Sequence, residues 1–177
     1  DGSGKSNPFE EAFGGLRTSI RYSASLDRDR TSIVLVTSPA PSEGKTTVAT
    51  NLARTLARQD MNVLLIDADL RRPSVHKVFE LPNEHGLGDY LRQRTDVLES
   101  PHKNRIKDPE SGADSNIDVI TAGTRISNPS EVLGGKRLRA MIEDARGKYD
   151  AIIVDTPPVL AVSDTLLISE VCDAVLL

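Results

Sequence analysis

The stretch "SIVLVTSPAPSEGKTTVATNLA" (Ser32 to Ala53) changes its pattern twice. It begins with a short, β-branched apolar run, "SIVLVTS", of the kind that forms a buried strand. A turn with two prolines follows. Then Val48, Leu52 and Leu56 recur every four residues, with Ala49, Ala53 and Ala57 beside them. That spacing predicts a helix with one apolar face. Between strand and helix stand Gly44, Lys45, Thr46 and Thr47. A strand end, a turn of backbone N–H groups and a helix N-terminus together stabilise an anion, so the stretch reads as a phosphate-binding loop. Gly44 would let the backbone approach the phosphates, and Lys45 would reach the β- and γ-phosphates. Thr46 would offer its hydroxyl to Mg²⁺, and Thr47 would lie near the α-phosphate. The strict pattern has a glycine where Pro39 stands. The bland alternative is a helix that merely starts at a Gly-Lys turn, and the strand and helix on either side weigh against it.

A second candidate, "GSGKS" (Gly2 to Ser6), has no strand before it and reads as part of a flexible tail over 1–7. A helix start follows at "NPFE", with Asn7 as N-cap and Phe9, Phe13, Leu16 and Ile20 on one face. Further on, "NVLLIDAD" (62–69), "IDVITAG" (117–123), "DAIIVDTPP" (150–158) and "DAVLL" (173–177) are apolar runs of strand length. Leu133, Leu138, Met141 and Ile142 suggest helical packing between the third and fourth strands. Buried strands alternating with helices predict an α/β fold with a mainly parallel sheet covered on both faces. Residues 93–116 are polar and contain Pro101, Pro109 and Gly112, the pattern of a surface loop or insertion. The rest, 8–177, reads as one domain.

Composition sets bounds on function. The 177 residues carry a net charge of −4, which gives no support to a nucleic-acid role. Cys172 is the only cysteine, so no intrachain disulfide forms, and its apolar setting reads as a buried thiol. No apolar run reaches the length of a membrane span. The chain begins at Asp1 and stops inside "DAVLL", so it is expected to belong to something longer.

Carboxylates recur where strands end. "LLIDADLRR" places Asp67 and Asp69 after the second strand, and "IIVDTPP" places Asp155 after the fourth. The C-terminal ends of parallel strands open on the crevice where such sheets bind ligands. A lone strand-end Asp is usually a loop cap. Three of them beside a Gly-Lys-Thr loop can hold Mg²⁺ and accept a proton from an attacking hydroxyl. The absence of an "NKxD" sequence favours ATP over GTP. Arg71 and Arg72 read equally as phosphate or subunit contacts and as a solvated pair. His76, His85 and His102 have no metal-ligand spacing.

These motifs resemble one family. "EAFGGLRTSI", "TSPAPSEGKTT", "LLIDADLRRPSVHKVFELPNEHGLGDYL", "NPSEVL" and "YDAIIVDTPPVLAVSD" together look like the cytoplasmic catalytic domain of bacterial tyrosine kinases of exopolysaccharide and capsule synthesis. That family lies within the deviant P-loop ATPases. The resemblance implies a three-layer α/β/α P-loop fold, with ATP on residues 39 to 47: Pro39, Ala40, Pro41, Ser42, Glu43, Gly44, Lys45, Thr46 and Thr47. It implies that Asp67, Asp69 and Asp155, with Thr46, organise Mg²⁺, and that Lys45 and the three aspartates are catalytic, with Asp67 favoured as base.

It further implies a place at the cytoplasmic side of the bacterial inner membrane. The implied partners are a membrane polysaccharide co-polymerase or activator segment and the tyrosine-rich tail of a neighbouring subunit. Self-association through the first helix is also implied, where Glu11 and Arg17 fit the family's pattern and Gly14 replaces an arginine. The partitioning branch of these ATPases carries a lysine at the position of Ala40, so that reading is disfavoured. A regulatory module that binds nucleotide without transferring phosphate is the other alternative. Tyr22, Tyr90 and Tyr149 are scattered, and Tyr149, just before a strand, reads as structural.

Overall fold

The apolar runs pair side by side in a six-stranded sheet. In this computed structural model the described residues are 31–92, 103–107 and 114–177, together with Gly15, which is helical. The strands are β1 (Ser32–Val36), β2 (Val63–Asp67), β3 (Lys103–Lys107), β4 (Asp114–Ile120), β5 (Ala151–Asp155) and β6 (Ala174–Leu176). The helices are α1 (Lys45–Ala57), α2 (Val75–Val78), α3 (Leu87–Arg92), α4 (Pro129–Leu133), α5 (Lys136–Ala145) and α6 (Asp164–Ser169). The sheet order is β3-β4-β2-β5-β1-β6, and every pairing is parallel except β3 with β4.

Alternation along each strand feeds two cores. Ile33, Leu35, Leu64, Ile66, Ile152 and Val154 face Leu133, Leu138, Met141, Ile142 and Ile168 of α4, α5 and α6. Val34, Val36, Leu65, Val119 and Ile153 face Ala49, Leu52, Ala53 and Leu56 of α1. Alanines at two of the four α1 contact positions let its backbone approach the sheet closely. Burying each large side chain stabilises the fold by about 1.5–3 kcal/mol. This is the expected three-layer α/β/α arrangement.

One segment differs from expectation. Within the 93–116 stretch read as a polar loop, Lys103–Lys107 forms β3 at the sheet edge. The sequence "KNRIK" hides it because Ile106 is its only apolar residue, and charged edge strands discourage pairing with other chains. Arg105 Nε lies 2.9 Å from the buried Asp118 of β4, whose other oxygen accepts the Tyr149 hydroxyl at 2.7 Å. That buried link fits the structural reading of Tyr149. The tail over 1–7, "GSGKS", the first-helix positions Glu11, Gly14 and Arg17, Tyr22 and His102 lie outside the described residues.

Candidate active site

Because β1, β2 and β5 run in parallel, the turns after them meet at one edge of the sheet. The turn after β1 is anchored first. Thr37 Oγ1 donates to the Pro157 carbonyl (2.9 Å), and Ser38 accepts the Val159 N–H at the same distance. Beyond Ser38 the residues Pro39 to Gly44 are exposed. Gly44 has φ 89°, a left-handed conformation that suits glycine, and Ser42 has φ 65° without that freedom. The turn thus delivers the chain into α1 at Lys45. No side chain caps α1 and no acidic residue stands in its first turn. Its first N–H groups and the positive end of its dipole are left for an anion. The Glu43 carboxylate accepts the Ala40 N–H at 2.9 Å, so the exposed turn already holds one negative group.

The carboxylates meet this helix end from below. Asp67 and Asp155 are register partners at the ends of β2 and β5, both essentially inaccessible to solvent. Thr46 Oγ1 donates to Asp155 Oδ2 at 2.5 Å and lies 2.8 Å from Ser74 Oγ. Asp67 Oδ2 accepts the N–H groups of Ser74 (3.1 Å) and Val75 (3.0 Å), and its Oδ1 accepts that of Asp69 (3.2 Å). Burial, then the facing Asp155, pushes the Asp67 carboxyl up to about 8, against the pull of the Val75 and Ser74 N–H groups. Burial likewise raises Asp155 to about 6, while the Thr46 bond and the Lys45 charge hold it down.

Asp69 is placed differently. It is half-buried, and its Oδ1 accepts the N–H groups of Arg71 (3.2 Å) and Arg72 (2.9 Å), so it shapes its own turn. Among the described residues no three His, Cys, Asp or Glu side chains form a ready metal-ligand group. Mg²⁺ needs less than that, since it keeps several waters and takes one or two carboxylates plus phosphate oxygens. Asp155 Oδ1 is buried without a hydrogen-bond partner, beside a second buried carboxyl and the Thr46 hydroxyl. That orphaned oxygen is what a hydrated cation would satisfy, so the residues fit Mg²⁺.

Sequence patterns did not single out Ser74, Ser130 and Asp164. Arg71 is ion-paired: its Nε lies 2.7 Å and its Nη2 3.1 Å from the two oxygens of the buried Asp164. Ser130 Oγ donates to the same carboxylate at 2.6 Å. The turn after β2 is thereby tied to α4 and α6. The signal available was slight, a Ser at a helix start for Ser74 and an Asp opening a helix for Asp164. Cys172 is half-buried, with its thiol raised to about 12 chiefly by burial, as a bystander would be.

Residues 36–176 match the family model described as an AAA domain. The chain is 40% identical over 163 residues to tyrosine-protein kinase YwqD of Bacillus subtilis, covering 92% of this chain and 65% of that protein. Over 160 residues it is 39% identical to tyrosine-protein kinase etk of Escherichia coli, covering 90% of this chain and 21% of the relative. The solved kinase domain of Escherichia coli tyrosine kinase ETK is similar with a TM-score of 0.85 at 36% identity, over 98% of this chain and 64% of that one. The chain therefore spans less than two thirds of these relatives.

Proposed function

Because this chain belongs to the bacterial tyrosine-protein kinases built on the P-loop fold, we propose that it moves the γ-phosphoryl of ATP to tyrosine hydroxyls. The observation that carries this reading is the uncapped start of α1 set against the buried Asp67/Asp155 pair, with the Thr46 hydroxyl joining the two. In it, Pro39 to Gly44 wrap the phosphates with backbone, and Lys45 offsets their charge. Thr47 stands at the α-phosphate. Thr46 and Asp155 would hold Mg²⁺, with Asp67 beside it through water and Asp69 fixing the turn. Bound there, Mg²⁺ would neutralise charge on the β- and γ-phosphates.

Asp67 is the proposed base. Four lone-pair positions serve a carboxylate, and three N–H groups occupy three of them, which leaves one on Oδ1 for a hydroxyl. Mg²⁺ bound beside it would favour the carboxylate form of Asp67, the form that accepts a proton. Since Asp67 is fully buried, the turn from Ala68 to Ser74 must give way for a tyrosine to reach it.

The family resemblance extends the proposal to exopolysaccharide or capsule synthesis, at the cytoplasmic face of the bacterial membrane. A membrane co-polymerase or activator segment would be the partner there, with a tyrosine-rich tail of a neighbouring subunit as acceptor. No helix among the described residues is long and apolar enough to cross a membrane. The test of the site is turnover in Asp67→Asn, Asp69→Asn and Asp155→Asn. The reading expects losses of about 10²–10⁴-fold for Asp67→Asn, far out of proportion to any change in melting temperature. Normal turnover in all three would leave the aspartates as loop caps.

A further inference from the structure

α1 starts at the phosphate loop and ends over the opposite edge of the sheet, about 18 Å away at ~1.5 Å per residue. There a groove of about 760 Å³ opens between the end of α1, the turn after α2, and strands β3 and β4. Arg54 and Arg58 of α1 line one side, and Arg105 and Lys107 of β3 the other. Glu80 is the single carboxylate among the described residues that line it, against four cationic side chains. Ile106, Ile117, Leu81 and Ala57 supply apolar surface between the two basic sides.

The Arg54 guanidinium stacks 4.9 Å from the centre of the Phe79 ring, and Arg105 is fixed by Asp118 at 2.9 Å. Preorganised guanidinium groups bind phosphate with little loss of side-chain freedom. The volume is that of a cleft for a small organic ligand, with room for a peptide side chain and its phosphate, whereas a bilayer presents a flat face. An apolar floor between basic walls matches a ligand with a flat apolar body and an anionic head.

We infer that this groove binds the phosphotyrosyl group of a peptide. The aryl ring lies against Leu81 and Ala57 at the edge of Ile106, and the phosphate meets Arg54, Arg58 and Lys107, with the Asn116 amide as a further donor. The identity of the anion rests on the tyrosine-transfer reading above; the groove and its charge do not. Its place across the sheet from the phosphate loop lets a phosphorylated product dock while the nucleotide site stays free. The groove is thus a docking site for the reaction's own product.

Fluorescence polarisation tests this on the whole chain, with a labelled phosphotyrosyl peptide of neutral flanking residues and its unphosphorylated twin. Binding is expected for the phosphorylated peptide only, unchanged by saturating ATP and by Lys45→Met. It should fall about tenfold or more in the double variant Arg58→Gln, Lys107→Gln, whose two exposed positions leave the fold in place. A second variant, Asn116→Ala, should weaken it without removing any charge. Equal binding of the unphosphorylated peptide, competition by ATP, or displacement by phosphatidylserine vesicles but not by phenyl phosphate would each overturn the inference. Should the chain fail to phosphorylate tyrosine yet hold the peptide in this way, the docking site stands and the catalytic reading alone falls.

Discussion

Asp164→Asn keeps the side chain's size and removes its charge at a point where three elements meet. Asp164 is fully buried and accepts two bonds from Arg71 and one from Ser130. An amide keeps one good acceptor and turns its NH₂ towards a donor, so one Arg71 bond is lost and the remaining one no longer joins opposite charges. Hydrogen bonds to charged groups contribute about 1.5–3 kcal/mol. Because the Arg71 side chain is 39% exposed, water takes over the stranded guanidinium and the loss stays at the low end, about 1.5–2 kcal/mol. For a chain of this length that lowers Tm by about 3–8 °C.

The pH dependence has a definite sign. Burial pushes the Asp164 carboxyl up, but the bonds from Arg71 and Ser130 and the Arg71 charge outweigh it and hold it below the ordinary value of 3.8. A carboxylate held down on folding stabilises fully above its unfolded pKa and less as pH falls through its folded one. Differential scanning calorimetry should therefore show the full gap between wild type and variant at neutral pH, shrinking below about pH 4. Equal melting at neutral pH, or a gap unchanged in acid, would refute the reasoning.

Lys45→Met should abolish tight binding of a fluorescent ATP analogue while the melting temperature holds, since Lys45 is only half-buried at the start of α1; unchanged affinity would remove this loop from the account. Gly86→Ala should lower stability by about 3 kcal/mol or more, because its Cβ would run into the Gly123 nitrogen and the Thr121 carbonyl oxygen, both backbone atoms. Wild-type melting of that variant would mean the turn can shift freely. Tyr149→Phe should cost about 1–3 kcal/mol by leaving Asp118 one donor short in the core. Mass spectrometry should find Tyr149 unphosphorylated in the wild type after incubation with ATP, and rapid phosphorylation there would contradict its burial.

Much of this was legible in the sequence because buried parallel strands write long apolar runs, and the Asp that ends such a run lies at the ligand edge. "LLIDAD" and "IIVD" fixed Asp67 and Asp155 in that way, and β2–β5 pairing places them side by side. Strand β3 was hidden because a charged edge strand shows almost no alternation, with Ile106 alone facing a core. The Arg71–Asp164 pair was invisible for another reason: no local pattern connects residues 93 positions apart. Asp69 shows the limit of motif reading. It shares a motif with Asp67, yet one of its oxygens holds the turn's own N–H groups.

The central claim is that this sheet edge delivers phosphate to tyrosine and not to water. The direct measurement is the fate of the label from γ-labelled ATP, with Mg²⁺ and an added tyrosine-rich peptide, in wild type and in Asp67→Asn. The account predicts label on peptide tyrosines, little on the chain's own Tyr90 or Tyr149, and loss of peptide labelling in the variant. Label released only as free phosphate, or peptide labelling equal in both proteins, would contradict it.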